Sequence, residues 1–226
     1  MMELSSVPNF RPLPRRCESY GPVYRSGSWS AISEEDCAKA FMGGLRPLID
    51  LRSAVEKARH PIPDHVVRSG IEVLHCELAS YSAASIMAPI PTCADYVDYY
   101  INMVESCRSG FCQAIECIDK SAGVSRAYFC HAGKDRTGVV SAVLLSRWRF
   151  DDREIARDYA LSGEYLARHL DWFRRNWERR GISRDAYAAR LGSKAEIMTS
   201  FLERIRDRYG ELSDFILNAD ARAEGT

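Results

Sequence analysis

The stretch RAYFCHAGKDRTGVVSAVLLSRW, residues 126–148, decides the reading of this chain. Its first five residues, RAYFC, read as a candidate strand. From Thr137 to Trp148 the residues are almost wholly apolar, which predicts a helix buried on most sides. A loop with Gly133 at its centre joins the two. A strand that turns through such a loop into a helix gathers backbone N–H groups and the positive end of the helix dipole around one point, which makes an anion cradle. Cys130 opens the loop and Arg136 closes it. The spacing alone means little, since eight cysteines in an arginine-rich chain of 226 residues give about one such pair by chance. The strand–loop–helix setting is what gives it weight.

Outward from this stretch, RPLIDLRS (46–53) and GIEVLHCEL (70–78) read as further strands. Capping-box patterns at 33–36 (S-E-E-D), 92–95 (T-C-A-D) and 193–196 (S-K-A-E) each predict a helix start. The first forty-odd residues, punctuated by Pro8, Pro12, Pro14 and Pro22, read mostly as loop. Strands alternating with long crossovers predict an α/β fold: a central, mainly parallel sheet flanked by helices. From Asp151 onward the pattern is helical. Leu166, Leu170, Phe173 and Trp177 form one apolar stripe, read either as packing onto the body or as part of a lid that presents Trp172 and arginines to a substrate. The length suggests one domain over 1–226, with 153–192 as a helical lid insertion and a helix at the C-terminus.

Composition narrows the function. Hydrophobic residues make up 46% and charged residues 27%, with Lys+Arg 31 against Asp+Glu 31, so a dedicated nucleic-acid binder is disfavoured. No apolar run reaches the ~20 residues of a spanning helix, and the N-terminus lacks a secretory pattern. The cysteines therefore read as reduced thiols and the expected location is cytoplasmic. Cys107, Cys112 and Cys117 recur every five residues, which turns each about 140° from the last on a helix and disfavours a shared zinc ion. Oligomeric state is not legible.

The loop suits phosphate chemistry. A free thiol ionises near pH ~8.5, whereas a nucleophile working at neutral pH needs roughly 5–6. Three such units are worth about 4 kcal/mol. A helix terminus supplies only about 0.3–2 kcal/mol, so two or three charge-assisted amide bonds at about 1.5–3 kcal/mol each must supply the rest. The same amides and a bidentate Arg136 would hold three phosphate oxygens while Cys130 attacks phosphorus and forms a phosphocysteine. Thr137 is a candidate donor to the thiolate. No metal or other cofactor is required, and the partner is a phosphorylated substrate.

CHAGKDRTG resembles the signature loop of the cysteine-based tyrosine phosphatase superfamily, and its GKDRTG form resembles the bacterial tyrosine/serine and phosphoinositide branch. The segments PNFR (8–11), VYRSG (23–27), LIDLRS (48–53), DYALSGEYL (158–166) and RIRDRYGELSDFI (204–216) agree with that branch. The resemblance implies a phosphoric monoester hydrolase with Cys130 as nucleophile, Arg136 as phosphate ligand, Lys134 as an extra cation and Asp135 as proton donor. It also implies phosphate binding by the loop residues His131, Ala132, Gly133 and Lys134. One departure stands out: the residue before the nucleophile, usually His, is Phe129.

Several assignments stay open at this point. Asp135 is the preferred acid, and Asp50 the alternative, with an ion pair to Arg52 or Arg25 as its simpler reading. His131 is either a solvent-facing lip residue or a substrate contact. Cys76 is either inert packing or an oxidation partner for Cys130. The activity itself has three readings: a tyrosine-phosphatase-like enzyme, a phosphatase for a small phosphorylated metabolite, or a phosphate-binding pseudoenzyme.

Overall fold

The computed structural model describes residues 2–16, 21–78, 91–121 and 123–218. Cys17 lies outside them. Among the described residues, the strands are β1 (Arg11–Pro12), β2 (Val23–Ser26), β3 (Leu45–Asp50), β4 (Val73–His75) and β5 (Ser125–Phe129). The helices are α1 (Glu34–Met42), α2 (Ala54–Arg59), α3 (Asp64–Arg68), α4 (Cys93–Ser106), α5 (Arg108–Lys120), α6 (Asp135–Arg147), α7 (Asp152–Ala167), α8 (Arg174–Arg180), α9 (Arg184–Leu191), α10 (Ala195–Tyr209) and α11 (Leu212–Leu217).

The strands form one sheet in the order β1-β2-β5-β3-β4, parallel except for the antiparallel edge strand β1. This is the mainly parallel α/β architecture expected, with β5 at its centre. Alternation along the strands sorts the core into two faces. Ala127, Phe129 and Leu48 pack on one side with Phe10, Trp29 and Val66, while Tyr128, Cys130 and Ile49 pack on the other with α4, α5, α6 and α10. Phe129 pairs with Ser26 on β2 and with Asp50 on β3, so Cys130 emerges where three parallel strands end together. Ligands of open parallel sheets bind at that edge.

The N-terminal segment is mostly loop as expected, with Arg11–Pro12 and Val23–Ser26 pairing as a short ribbon. One expectation needs correcting. S-K-A-E does not cap its helix: α10 starts at Ala195 with Lys194 as cap, and Ser193 Oγ is buried without a hydrogen-bond partner. The boxes at 33–36 and 92–95 do mark helix starts, with both halves of the box formed at Thr92. At Ser33 only one half forms, since the Asp36 carboxylate binds the backbone N–H and hydroxyl of Ser6 instead.

The apolar stripe at 166–177 is buried, but not on a single helix. The chain breaks after Ala167, runs through a 3-10 turn at Leu170–Phe173 and resumes as α8. Leu166, Leu170, Phe173 and Trp177 close around Tyr187 and Leu191 of α9, and Ala132 of the loop packs against them.

Candidate active site

The loop after β5 is built from the outside in. Its carbonyls are tied to the scaffold one after another. Ser28 N–H donates to His131 O (2.9 Å), Asn9 Nδ2 to Gly133 O (2.7 Å) and Arg25 Nη2 to the same oxygen (2.9 Å). Gly138 N–H donates to Lys134 O at 2.8 Å, starting α6. The backbone N–H groups of residues 131–136 have no hydrogen-bond acceptor among the described residues. Fixed carbonyls and free amides are the arrangement that an anion-binding nest needs.

Gly133 is required by geometry on two counts. Its φ is +71°, and a Cβ there would sit 2.4 Å from the Ser26 carbonyl carbon and oxygen and 2.5 Å from Gly27 N. Only a residue without a side chain lets the loop lie this close to the end of β2.

Behind Gly133 lies a buried polar network. Arg25 Nη1 pairs with Asp158 Oδ2, Arg11 Nη2 donates to Asp158 O (2.8 Å) and Ser162 Oγ (3.1 Å), and Arg11 Nη1 donates to Asn9 Oδ1. Burial, with Arg25 beside it, pulls the Arg11 guanidinium down to about 9, so it stays cationic at neutral pH. These residues belong to PNFR, VYRSG and DYALSG, segments that the sequence flagged without giving them a role. They support the loop.

Cys130 is buried at 3% exposure at the head of the loop. Arg136 donates through Nη1 and Nη2 to the two carboxylate oxygens of Glu56, each at 2.6 Å, leaving its Nε edge outside this pair. Burial pushes the Glu56 carboxyl up, but the Arg136 bonds and charge outweigh it and hold the group down at about 2. The Arg136 guanidinium is correspondingly held above its ordinary value despite burial. Glu56 also completes the α2 capping box, accepting from Ser53 N–H at 3.0 Å. Sequence reasoning missed it. S-A-V-E at 53–56 is itself a capping-box pattern, but nothing in it points to a partner eighty residues away.

The remaining expected residues divide. Asp135 accepts from the Tyr100 hydroxyl at 2.7 Å through Oδ1, and its side chain is 33% exposed. Lys134 does not offer its ammonium as a free cation: Nζ is buried, donates to Arg190 O (2.9 Å) and lies 4.0 Å from the centre of the Tyr96 ring. Its backbone alone belongs to the loop, and burial lowers its ammonium from the ordinary lysine value. Asp50 is fully engaged by Arg52, through Nε to Oδ1 (2.9 Å) and Nη2 to Oδ2 (2.8 Å), so its ion-pair reading holds. Thr137 Oγ1 is buried with no hydrogen-bond partner.

His131 is neither a free lip residue nor an imidazolium ligand. Its ring lies 5.2 Å from His60, 5.4 Å from Trp172 and 5.9 Å from Phe173, and Nε2 is 3.0 Å from Asn176 Nδ2. Burial, then the neighbouring His60, pulls it down to about 4, which makes it neutral at physiological pH. Cys76 lies with its sulfur 3.4 Å from Cys117 Sγ, and burial first, with Cys117, pushes its thiol up to about 12. Its thiol neighbour is thus Cys117.

Comparison with known proteins adds the following. A sequence profile described as the Tyrosine phosphatase family matches residues 2–224. A tyrosine-protein phosphatase of Nostoc commune is 27% identical over 144 residues, covering 63% of this chain and 48% of that protein. The chain thus spans about half the length of the curated relative it matches. Among solved structures, a kinase associated phosphatase with serine replacing its catalytic-site cysteine superposes with a TM-score of 0.43 at 10% identity, covering 88% of this chain and 94% of the other. TpbA of P. aeruginosa gives 0.36 at 12% identity, covering 79% and 85%. These superpositions are loose. Among the described residues, no helix is long and apolar enough to cross a membrane.

Proposed function

Since this chain belongs to the tyrosine phosphatase family, we propose that it hydrolyses phosphate monoesters without a metal ion, using Cys130 as nucleophile and a phosphocysteine intermediate. The observation that carries this reading is the loop itself: its carbonyls are fixed outward by Ser28, Asn9 and Arg25, while the amides of 131–136 find no acceptor among the described residues.

In the first step the Cys130 thiolate attacks phosphorus, an S–P bond forms and the P–O bond to the leaving group breaks. Asp135 gives its proton to the departing oxygen. The loop amides and the Nε edge of Arg136 bind the non-bridging oxygens, where charge spreads in the transition state. In the second step water attacks phosphorus, returns a proton to Asp135 and releases the thiolate with inorganic phosphate. The unpartnered Thr137 hydroxyl is available to donate to the sulfur as it leaves. His131 and Trp172, both half-buried, present aromatic surface beside the loop. That favours an aryl phosphate such as phosphotyrosine over an aliphatic one, with 153–192 acting as the lid.

The test is hydrolysis of p-nitrophenyl phosphate in the presence of a chelator, for the wild type and Cys130→Ser. Loss of the nucleophile should reduce kcat by at least about 10³-fold. Wild-type turnover by the serine variant would refute the mechanism, and a wild type that binds vanadate but never turns over would make it a phosphate-binding protein.

A further inference from the structure

Asp135 is served from the protein interior by a pair of tyrosines that the reading above does not use. Tyr100 of α4 and Tyr159 of α7 are both buried, with hydroxyls 2.8 Å apart, and the Tyr100 hydroxyl lies 2.7 Å from Asp135 Oδ1. A phenol has one proton. If Tyr100 donates its own to the carboxylate, the Tyr100–Tyr159 bond must run the other way, from Tyr159 to Tyr100. The order is therefore Tyr159 to Tyr100 to Asp135, each bond polarising the next.

The Tyr100 ring is fixed. Tyr96, Tyr99, Tyr159 and Phe201 surround it with ring centres 5.7–6.2 Å away, so its hydroxyl has no other direction to take. Burial and the charge of Asp135 hold both phenols well above the usual phenol range, so both remain donors. On the same side, Lys134 Nζ lies 3.9 Å from Oδ1. Oδ1 is thereby bound from within by one hydrogen bond and faced by an ammonium, while Oδ2 takes no hydrogen bond from any described residue.

We propose that Tyr100, backed by Tyr159, is the positioning residue of the acid: it holds Oδ1 against the core, so that the proton of Asp135 is carried on Oδ2, the oxygen free to meet the leaving group. The inference rests on Asp135 being the proton donor, and the experiment separates the two. It also explains a tyrosine-rich helix in which Tyr100 spans the distance from the core to the loop.

The test is kcat/KM for a series of aryl phosphates whose phenols range from nitrophenol to unsubstituted phenol, measured for wild type, Asp135→Asn, Tyr100→Phe and Tyr159→Phe. A misplaced acid hurts poor leaving groups most. Tyr100→Phe should therefore cost about ten-fold on phenyl phosphate and less than about three-fold on nitrophenyl phosphate, with Tyr159→Phe smaller in the same sense.

A merely structural loss would lower all substrates by one factor and leave the slope unchanged. If Asp135→Asn steepens the slope and Tyr100→Phe runs parallel to wild type, the inference is wrong and Asp135 keeps its role. If Asp135→Asn itself runs parallel, the acid lies elsewhere and the inference falls with it. Should Tyr100→Phe fail to fold, Tyr159→Phe carries the same test, and a parallel line there overturns the proposal.

Discussion

Replacing Glu56 by glutamine keeps its shape and removes its charge, which isolates what the carboxylate does for Arg136. An ordinary glutamate titrates near 4.5 and this one at about 2. At about 1.4 kcal/mol per factor of ten, that gap is worth roughly 3 kcal/mol of folding free energy. The Glu56 side chain is 24% exposed, and solvent screening trims the figure to roughly 2–3 kcal/mol. The sign follows from the depressed value. The contribution is complete at pH well above 4.5 and disappears as pH falls through about 2.

Urea unfolding of wild type and Glu56→Gln, followed by tryptophan fluorescence, should therefore show a gap of roughly 2–3 kcal/mol at pH 7 that shrinks below half by pH 3. Activity should fall as well, by about ten-fold in kcat/KM, since a buried guanidinium without its bidentate partner loses its fixed orientation. A gap below about 0.5 kcal/mol at pH 7, or one equally large at pH 3, would show that the pair does not hold Arg136 as argued.

Two further substitutions probe the support of the loop. Gly133→Ala forces a Cβ to within 2.4 Å of the Ser26 carbonyl at a φ of +71°. It should destabilise by about 3 kcal/mol or more, so a wild-type thermal midpoint would contradict the observed close approach. Asp158→Asn leaves Arg11 and Arg25 buried without their carboxylate and should cost about 3 kcal/mol in urea unfolding. A loss below about 1 kcal/mol would mean that the network bears little of the loop's stability.

What was legible in the sequence follows from what is local. β5, the loop and α6 were readable because apolar patterning, a glycine and the Cys–Arg spacing lie within 23 residues of one another. β1 and β2 were not, since strands of two and four residues among prolines carry no usable period. The break after Ala167 was hidden for a different reason. His169 Nε2 is 3.0 Å from Ser5 O, a contact across the whole chain that no window around residue 169 contains. Ser193 failed as a cap because α7 packs onto it, with Gly163 so close that a Cβ would lie 3.1 Å from Ser193 N. The site contacts of Glu56 and Tyr100 were missed because the partners, Arg136 and Asp135, are distant in sequence. For three of the five flanking segments, resemblance marked the residues and only the fold supplied the reason: Asn9 and Arg25 bind the Gly133 carbonyl, and Arg11, Asp158 and Ser162 form the network that holds them.

That convergence bears on where the attraction for an anion comes from. Arg136 is matched by Glu56, Arg52 by Asp50, and His131 is neutral, so none of them supplies a net charge to the cradle. Two guanidiniums against one carboxylate, Arg11 and Arg25 against Asp158, leave one positive charge buried directly behind Gly133. A second depends on Asp135. When its carboxyl carries a proton, the buried Lys134 ammonium 3.9 Å away loses its only carboxylate neighbour among the described ion pairs and contributes its full charge beneath the loop. On the proposed mechanism, the proton that Asp135 carries is thus also the proton that leaves the cradle most positive.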